Sequence, residues 1–85
     1  MKKYTIFFTK QVLKDVKSLS PKLKNKLKNL LIEVILEDPF VGKKLLGELE
    51  GNYSYRLSLK DRIIYSVDLK NRKIYVKRAR THYGD

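Results

Sequence analysis

Cysteine is absent from the 85-residue sequence and histidine occurs only once. Without cysteine the chain forms neither disulfide bonds nor thiolate metal sites, which suits a reducing compartment such as the cytoplasm. A single histidine excludes most catalytic triads and zinc sites. Neither a Gly-x-Gly-x-x-Gly pattern nor a P-loop is present. We therefore expect a protein that uses no metal and no cofactor.

Long apolar runs are also missing. No run approaches the roughly 20 residues that a membrane-spanning helix needs. The basic start followed by apolar residues 4–8 superficially resembles a signal peptide, but Thr5 interrupts the run and no small-residue cleavage site follows. These observations predict a cytoplasmic protein that does not bind a membrane.

Acidic residues are scarce, because nine Asp and Glu stand against 20 Lys and Arg and give a formal net charge of +11. Such an excess repels itself in the compact state and attracts polyanions. Nucleic acid or an acidic protein is the expected partner, and a solvated lysine-rich surface is the alternative. The chain is 42% hydrophobic, with six Tyr and three Phe. We expect one folded domain over residues 1–85.

Apolar spacing predicts a strand followed by two helices. Residues 4–8 are aromatic and β-branched, which is typical of a strand, and Thr9 suits a helix N-cap. Ser20 and Pro21 mark the start of a second helix that ends near residue 38. The apolar positions with helical spacing are Val12, Leu13, Val16 and Leu19, then Leu23, Leu27, Leu30, Leu31, Val34 and Ile35. The two helices form a hairpin whose apolar faces need a sheet to cover them.

The second half of the sequence predicts strands. Residues 40–52 show no period and contain three glycines, so we expect a connecting loop there. Strands follow over residues 53–59, 62–67 and 73–79, with a short polar tail over residues 80–85. The order βααβββ predicts an α+β fold, in which an antiparallel four-stranded sheet carries the N-terminal helical hairpin on one face.

Residues suited to RNA chemistry gather near the C-terminus. Arg78, Arg80 and His82 alternate along the chain, and alternate residues of a strand share a face. Arg56 and Arg62, on neighbouring strands, are expected to converge with them. RNA cleavage needs a base for the 2′-hydroxyl, cations for the phosphorane and an acid for the departing 5′ oxygen, roles that arginine and histidine can fill. An exposed histidine without a role and solvated arginines at the sheet rim are the alternative.

Four motifs occur in a characteristic order. They are Pro39-Phe40, then Leu49-Glu50-Gly51-Asn52-Tyr53-Ser54-Tyr55-Arg56, then Arg62-Ile63-Ile64-Tyr65-Ser66-Val67, and finally Arg80-Thr81-His82-Tyr83. In order and spacing they resemble the RelE/ParE toxin superfamily, in particular its YoeB/Txe branch. The resemblance covers nearly the whole chain.

That resemblance implies a type II toxin that is neutralised by a cognate antitoxin and cleaves mRNA on the ribosome as an endoribonuclease. Operator DNA would be contacted only indirectly, through the antitoxin. By matching positions, Arg62 would clamp the scissile phosphate, His82 would act in proton transfer and Tyr83 would orient or stack a base. The residues expected to support substrate binding are Lys43, Arg56, Arg78 and Arg80.

One position departs from the YoeB pattern. YoeB-like toxins carry a glutamate as candidate general base where this chain has Lys43, and Glu48 is out of register. RelE members use lysines and arginines without a carboxylate, so Lys43 is compatible with a RelE-like mechanism or with a weakened enzyme. Two other functions stay open. One is a ParE-like inhibitor of gyrase, which does not need the His82-Tyr83 ending, and the other is a catalytically weak RNA-binding module.

Overall fold

The computed structural model describes residues 4–81, except for the side chains of Leu49, Arg80 and Thr81. In chain order its elements are β1 (Thr5–Phe8), α1 (Lys10–Ser18), α2 (Pro21–Leu30), a π-helical turn (Leu31–Ile35), β2 (Lys43–Lys44), a 3-10 turn (Gly47–Leu49), β3 (Asn52–Arg56), β4 (Asp61–Asp68) and β5 (Lys73–Thr81).

Side-chain caps begin both helices at the predicted residues. The Thr9 hydroxyl accepts the N–H of Val12 at 3.2 Å, and the Ser20 hydroxyl accepts the N–H of Leu23 at 3.2 Å. Each cap satisfies one of the amide groups that the first helical turn leaves unpaired. Pro21 follows in the first turn of α2, where its missing N–H is not needed.

The five strands form one sheet in the order β1-β5-β4-β3-β2. Three of its pairs are antiparallel, and β1 pairs with β5 in parallel. The predicted α+β fold with a helical hairpin is confirmed, whereas the expectation of four strands in an entirely antiparallel sheet is wrong. The helical hairpin lies between β1, at one edge of the sheet, and β2, at the opposite edge. The strands β3, β4 and β5 then follow one another back across the sheet, and β5 runs parallel to β1.

The extra strand, β2, lies within the stretch that the sequence predicts as a loop. It has only two residues, and Lys43 and Lys44 pair with Ser54 and Tyr53 of β3. Two residues are too few for the alternating pattern by which a strand is recognised in a sequence.

The core lies between the helices and one face of the sheet. Its largest fully buried side chains are Val12, Ile35, Leu57, Ile63, Tyr65, Ile74 and Val76. Burial of each such apolar side chain contributes about 1.5–3 kcal/mol. Between residues 4 and 81, no helix is both long and apolar enough to cross a bilayer.

Strand β5 contains one residue more than the stretch of β4 that it pairs with. Tyr65 lies opposite Val76. The preceding residue of β4, Ile64, lies opposite Arg78, so Lys77 has no partner of its own and forms a β-bulge. Beyond the bulge, every residue of β5 lies on the face opposite to the one that simple alternation from Val76 would give it.

Candidate functional site

A tight turn joins β3 to β4 and sets the pairing of these strands. The N–H groups of Leu57 and Ser58 both donate to the Asp61 carbonyl, at 2.8 and 3.1 Å. The Ser58 hydroxyl donates to the Asp61 carboxylate at 2.9 Å and accepts the Asp61 N–H at 3.0 Å. Because register in a hairpin is fixed by its turn, this network determines that Arg56 lies opposite Arg62.

Three arginines lie side by side across the sheet, and we call them the arginine row: Arg56, Arg62 and Arg80. Arg62 lies opposite Arg56 on β3 and opposite Arg80 on β5. Arg56 and Arg62 are both exposed. Directly paired residues of antiparallel strands have Cα atoms about 4.5–5.5 Å apart, and like charges at such positions are destabilising. The row is therefore suited to a polyanion that relieves this repulsion.

The bulge in β5 completes the row. Beyond it, Ala79 lies opposite Ile63, and both residues are fully buried in the core. Arg80 consequently falls on the other face of the sheet, opposite Arg62. If Lys77 paired regularly with Ile64, so that no bulge formed, Ala79 would lie opposite Arg62 and Arg80 would lie on the face that the helices cover.

Lys43 joins the same face from the edge strand β2. It pairs with Ser54, which lies two residues before Arg56 and therefore shares the face of Arg56. Lys43 is exposed. The structure thus brings Lys43 to the arginine row, where it adds a fourth positive charge.

The loop that precedes Lys43 is attached to the sheet by Tyr65. The buried Tyr65 hydroxyl donates to the Pro39 carbonyl at 2.8 Å and accepts the Gly42 N–H at 3.1 Å. Gly42 allows this approach, since a Cβ at that position would lie 2.5 Å from the hydroxyl oxygen and 2.9 Å from the Ser54 carbonyl oxygen. Burial raises the pKa of Tyr65 to about 12, although the Gly42 hydrogen bond acts in the opposite direction. The tyrosine is therefore neutral and structural.

The strand register places Arg78 on the same face of the sheet as the arginine row. Its guanidinium, however, binds Asp15 of α1 at the edge of β5. Its Nε donates to Oδ2 of Asp15 at 2.8 Å, and the same oxygen accepts the Ala79 N–H at 3.1 Å. Asp15 is only 3% exposed. The sequence prediction missed Asp15, although its position in the apolar stripe of α1, between Val12 and Leu19, was a usable signal.

His82 and Tyr83 lie outside the described residues, so their predicted roles stay predictions. β5 is described as far as Thr81, which lies opposite Asp61 beside the arginine row. Over residues 4–81, the Asp and Glu side chains form no group of three that could hold a metal ion.

Comparison with known proteins identifies the family. The family model of the ParE-like toxin of type II bacterial toxin–antitoxin systems matches residues 6–83. The chain belongs to this family. It is a type II toxin of the RelE/ParE superfamily, as its motifs predicted. No sequence among the curated proteins matches it.

Solved structures of toxins share the fold over almost the whole chain. The RelBE2 toxin–antitoxin complex of Mycobacterium tuberculosis contains a chain 26% identical to this one, with a TM-score of 0.84 and coverage of 94% of this chain and 99% of that one. For the heterotetrameric YoeB–YefM complex of Staphylococcus aureus the identity is 29%, the TM-score 0.75 and the coverage 95% and 99%. For the Escherichia coli RelBE complex the values are 25%, 0.79, 94% and 98%.

Proposed function

We propose that this toxin is an endoribonuclease that cleaves mRNA on the ribosome, and that its arginine row binds the scissile phosphate. The observation that carries the proposal is the row itself. Arg56, Arg62 and Arg80 occupy paired positions on three adjacent strands, where like charges repel each other. An RNA backbone supplies the negative charge that makes such an arrangement favourable. The formal net charge of +11 favours the same partner.

In the proposed reaction the 2′-hydroxyl of the substrate loses its proton and attacks the adjacent phosphorus. The P–O5′ bond then breaks, which leaves a 2′,3′-cyclic phosphate and a 5′-hydroxyl product. Arg62, flanked by Arg56 and Arg80, stabilises the negative charge that develops on the phosphorane, because guanidinium groups bind phosphate oxygens in a bidentate manner. His82 transfers a proton at the 2′ or the 5′ oxygen, since the ordinary pKa of histidine lies close to neutrality. Tyr83 orients or stacks a base.

Lys43 supports this mechanism as a cation. It lies on the face of the arginine row, next to Ser54 and close to Arg56, at the position where YoeB-like toxins carry a glutamate. A fourth positive side chain beside the phosphate contributes charge stabilisation without a carboxylate. This arrangement corresponds to the lysine- and arginine-rich mechanism of RelE rather than to that of YoeB.

The proposed regulatory partner is a cognate antitoxin. The similar M. tuberculosis and S. aureus structures are toxin–antitoxin complexes. A segment with acidic side chains that becomes ordered on docking would complement the basic surface of this chain, and operator DNA would be reached only through the antitoxin. Mixing the toxin with the product of an adjacent acidic reading frame should raise the melting temperature of the toxin. An unchanged melting temperature would argue against that partner.

The test of the enzymatic proposal compares two arginine variants with the same change of charge. Arg62→Gln removes the central member of the row, whereas Arg72→Gln removes an exposed arginine from the β4–β5 turn at the other end of these strands. Cleavage of a ribosome-bound message, mapped by primer extension, should fall on the order of 100- to 1,000-fold in Arg62→Gln and stay near the wild-type rate in Arg72→Gln.

Plasmid supercoiling by purified gyrase is assayed with the same preparations. If wild-type protein leaves the message intact but inhibits gyrase, the chain is a gyrase inhibitor. If the protein binds ribosomes or RNA without cleaving the message and leaves gyrase active, it is an RNA-binding module. Either result contradicts the proposed ribonuclease.

A further inference from the structure

We propose that Asp15 is a positioning residue for the arginine row: it fixes the β-bulge of β5, and the bulge places Arg80 opposite Arg62. The structural part of this inference rests on the contacts of α1 with β5. Its consequence for cleavage rests on the proposed function. Asp15 is a charged residue that is buried, and the proposed reaction does not otherwise use it.

One edge of β5 has a neighbouring strand along only part of its length. β1 pairs with β5 only as far as Phe8, which lies opposite Val76. From Thr9 onwards the chain leaves the sheet and enters α1, so the remainder of that edge of β5 has a helix beside it instead of a strand. The bulge at Lys77 lies where this change occurs.

Two side chains bind β5 at the bulge and just beyond it: Thr9, the N-cap of α1, and Asp15, within α1. The Thr9 hydroxyl donates to the Lys77 carbonyl at 3.3 Å while it caps α1. Asp15 Oδ2 accepts the Ala79 N–H at 3.1 Å and the Arg78 Nε–H at 2.8 Å. The carboxylate therefore provides the acceptor that a continuing β1 would have provided for the edge of β5.

Asp15 is well suited to hold this edge firmly. Burial alone would raise the pKa of its carboxyl, but hydrogen bonds from Arg78 and Ala79, the Arg78 charge and a hydrogen bond from Gln11 bring the pKa below its ordinary value. The carboxylate is therefore ionised at neutral pH. Hydrogen bonds to an ionised acceptor are stronger than those between neutral groups, and they are strongest where water is excluded.

Loss of these bonds has a defined consequence for the arginine row. Pairing of β5 without its bulge would bring Arg78 opposite Ile63 on the core face, which is unfavourable for a charged side chain. The end of β5 should therefore separate from β4 rather than change register. In both cases Arg80 leaves its position opposite Arg62, and the phosphate site loses one of its three arginines.

The experiment uses two substitutions of Asp15 and one control. Asp15→Ala removes both hydrogen bonds to Oδ2, whereas Asp15→Asn can retain them through its carbonyl oxygen while it loses the charge and the long contact to Arg78 at 3.4 Å. Leu30→Ala lowers stability by removing a half-buried side chain of α2 that packs against the core. Amide hydrogen exchange at Ala79 and backbone cross-strand contacts between Arg62 and Arg80 are measured by NMR, at a temperature where every variant is folded.

We expect the Ala79 amide to exchange on the order of 10-fold faster in Asp15→Ala, beyond any global change seen in Leu30→Ala, with weaker cross-strand contacts at Arg80. At saturating ribosome concentration, kcat should fall at least about 10-fold in Asp15→Ala with KM little changed, and Asp15→Asn should recover much of that loss. If Asp15→Ala does not fold, the same measurements on Asp15→Asn should give smaller changes in the same direction.

The NMR measurements decide the positioning role even if the wild-type chain cleaves no RNA, so failure of the proposed function is distinguishable from failure of this inference. Unchanged exchange at Ala79 together with intact Arg62–Arg80 contacts would overturn it. Equal loss of kcat in Asp15→Ala and in Leu30→Ala would also overturn it, because the effect would then be one of general stability.

Discussion

Arg56 lies directly opposite Arg62 in the antiparallel pairing of β3 and β4. Both side chains are exposed cations, and such a pair lowers stability by about 0.2–1 kcal/mol relative to neutral residues. A protein selected for stability alone would not keep this pair next to a third paired arginine. The arrangement is what we expect where stability is exchanged for the binding of an anion.

The first prediction is that Arg56→Gln raises stability while it lowers activity. Relief of the repulsion should increase the free energy of unfolding by about 0.2–1 kcal/mol at low salt, measured by urea denaturation. The gain should shrink as sodium chloride is added, since salt screens exposed charges. Lys70→Gln, at an exposed residue of the β4–β5 turn, serves as the control with the same change of net charge. A lower stability of Arg56→Gln than of wild type would contradict the repulsion argument.

The second prediction concerns the hydroxyl of Tyr65. Tyr65→Phe leaves the Pro39 carbonyl and the Gly42 N–H without this partner, which should lower the free energy of unfolding by about 1–3 kcal/mol. The melting temperature should fall by about 4–8 °C for each kcal/mol. Tyr75→Phe is the matched control, because Tyr75 is half-buried and its ring stacks on Phe7. Similar melting temperatures for the two variants would argue against the anchoring role of the Tyr65 hydroxyl.

The third prediction follows from the raised pKa of Tyr65, about 12 in the folded chain against about 10 in an unfolded one. The folded state keeps the proton between these values and the unfolded state releases it. The contribution of the neutral Tyr65 hydroxyl to the free energy of unfolding is therefore fully present below pH 10. It is lost as the pH rises through 12, by roughly 3 kcal/mol. Chemical denaturation between pH 8 and pH 12 should show the stability advantage of wild type over Tyr65→Phe decreasing. An advantage that is independent of pH would contradict the assignment.

The fourth prediction concerns Lys43. Lys43→Glu replaces a cation beside the arginine row with an anion, so RNA affinity and cleavage should both fall, and the salt dependence of RNA binding should become shallower. Lys44→Glu makes the same change of charge at the adjacent exposed residue, which pairs with Tyr53 on the other face of β2. Its effect should be smaller. Increased cleavage by Lys43→Glu would instead identify a weakened enzyme that benefits from the carboxylate of YoeB-like toxins.

Much of the local structure is determined by residues that lie close together in the sequence. Thr9 and Ser20 begin the helices because their hydroxyls reach an amide three residues later, a relationship that is visible in the sequence. The short turn between Arg56 and Arg62 likewise placed two members of the arginine row opposite each other. The family followed from motifs distributed over the chain, and the match of the family model to residues 6–83 confirms it.

Tertiary structure alone decided how the remaining parts of the site are arranged. The alternation of residues in β5 does not show that Lys77 is an extra residue, so the face on which Arg80 lies depends on pairing with β4. The acceptor for the Ala79 N–H comes from Asp15, 64 residues earlier in the chain. Bulges and edge contacts depend on which distant groups meet once the core has formed, because an unpaired backbone amide binds whatever acceptor packing brings to it.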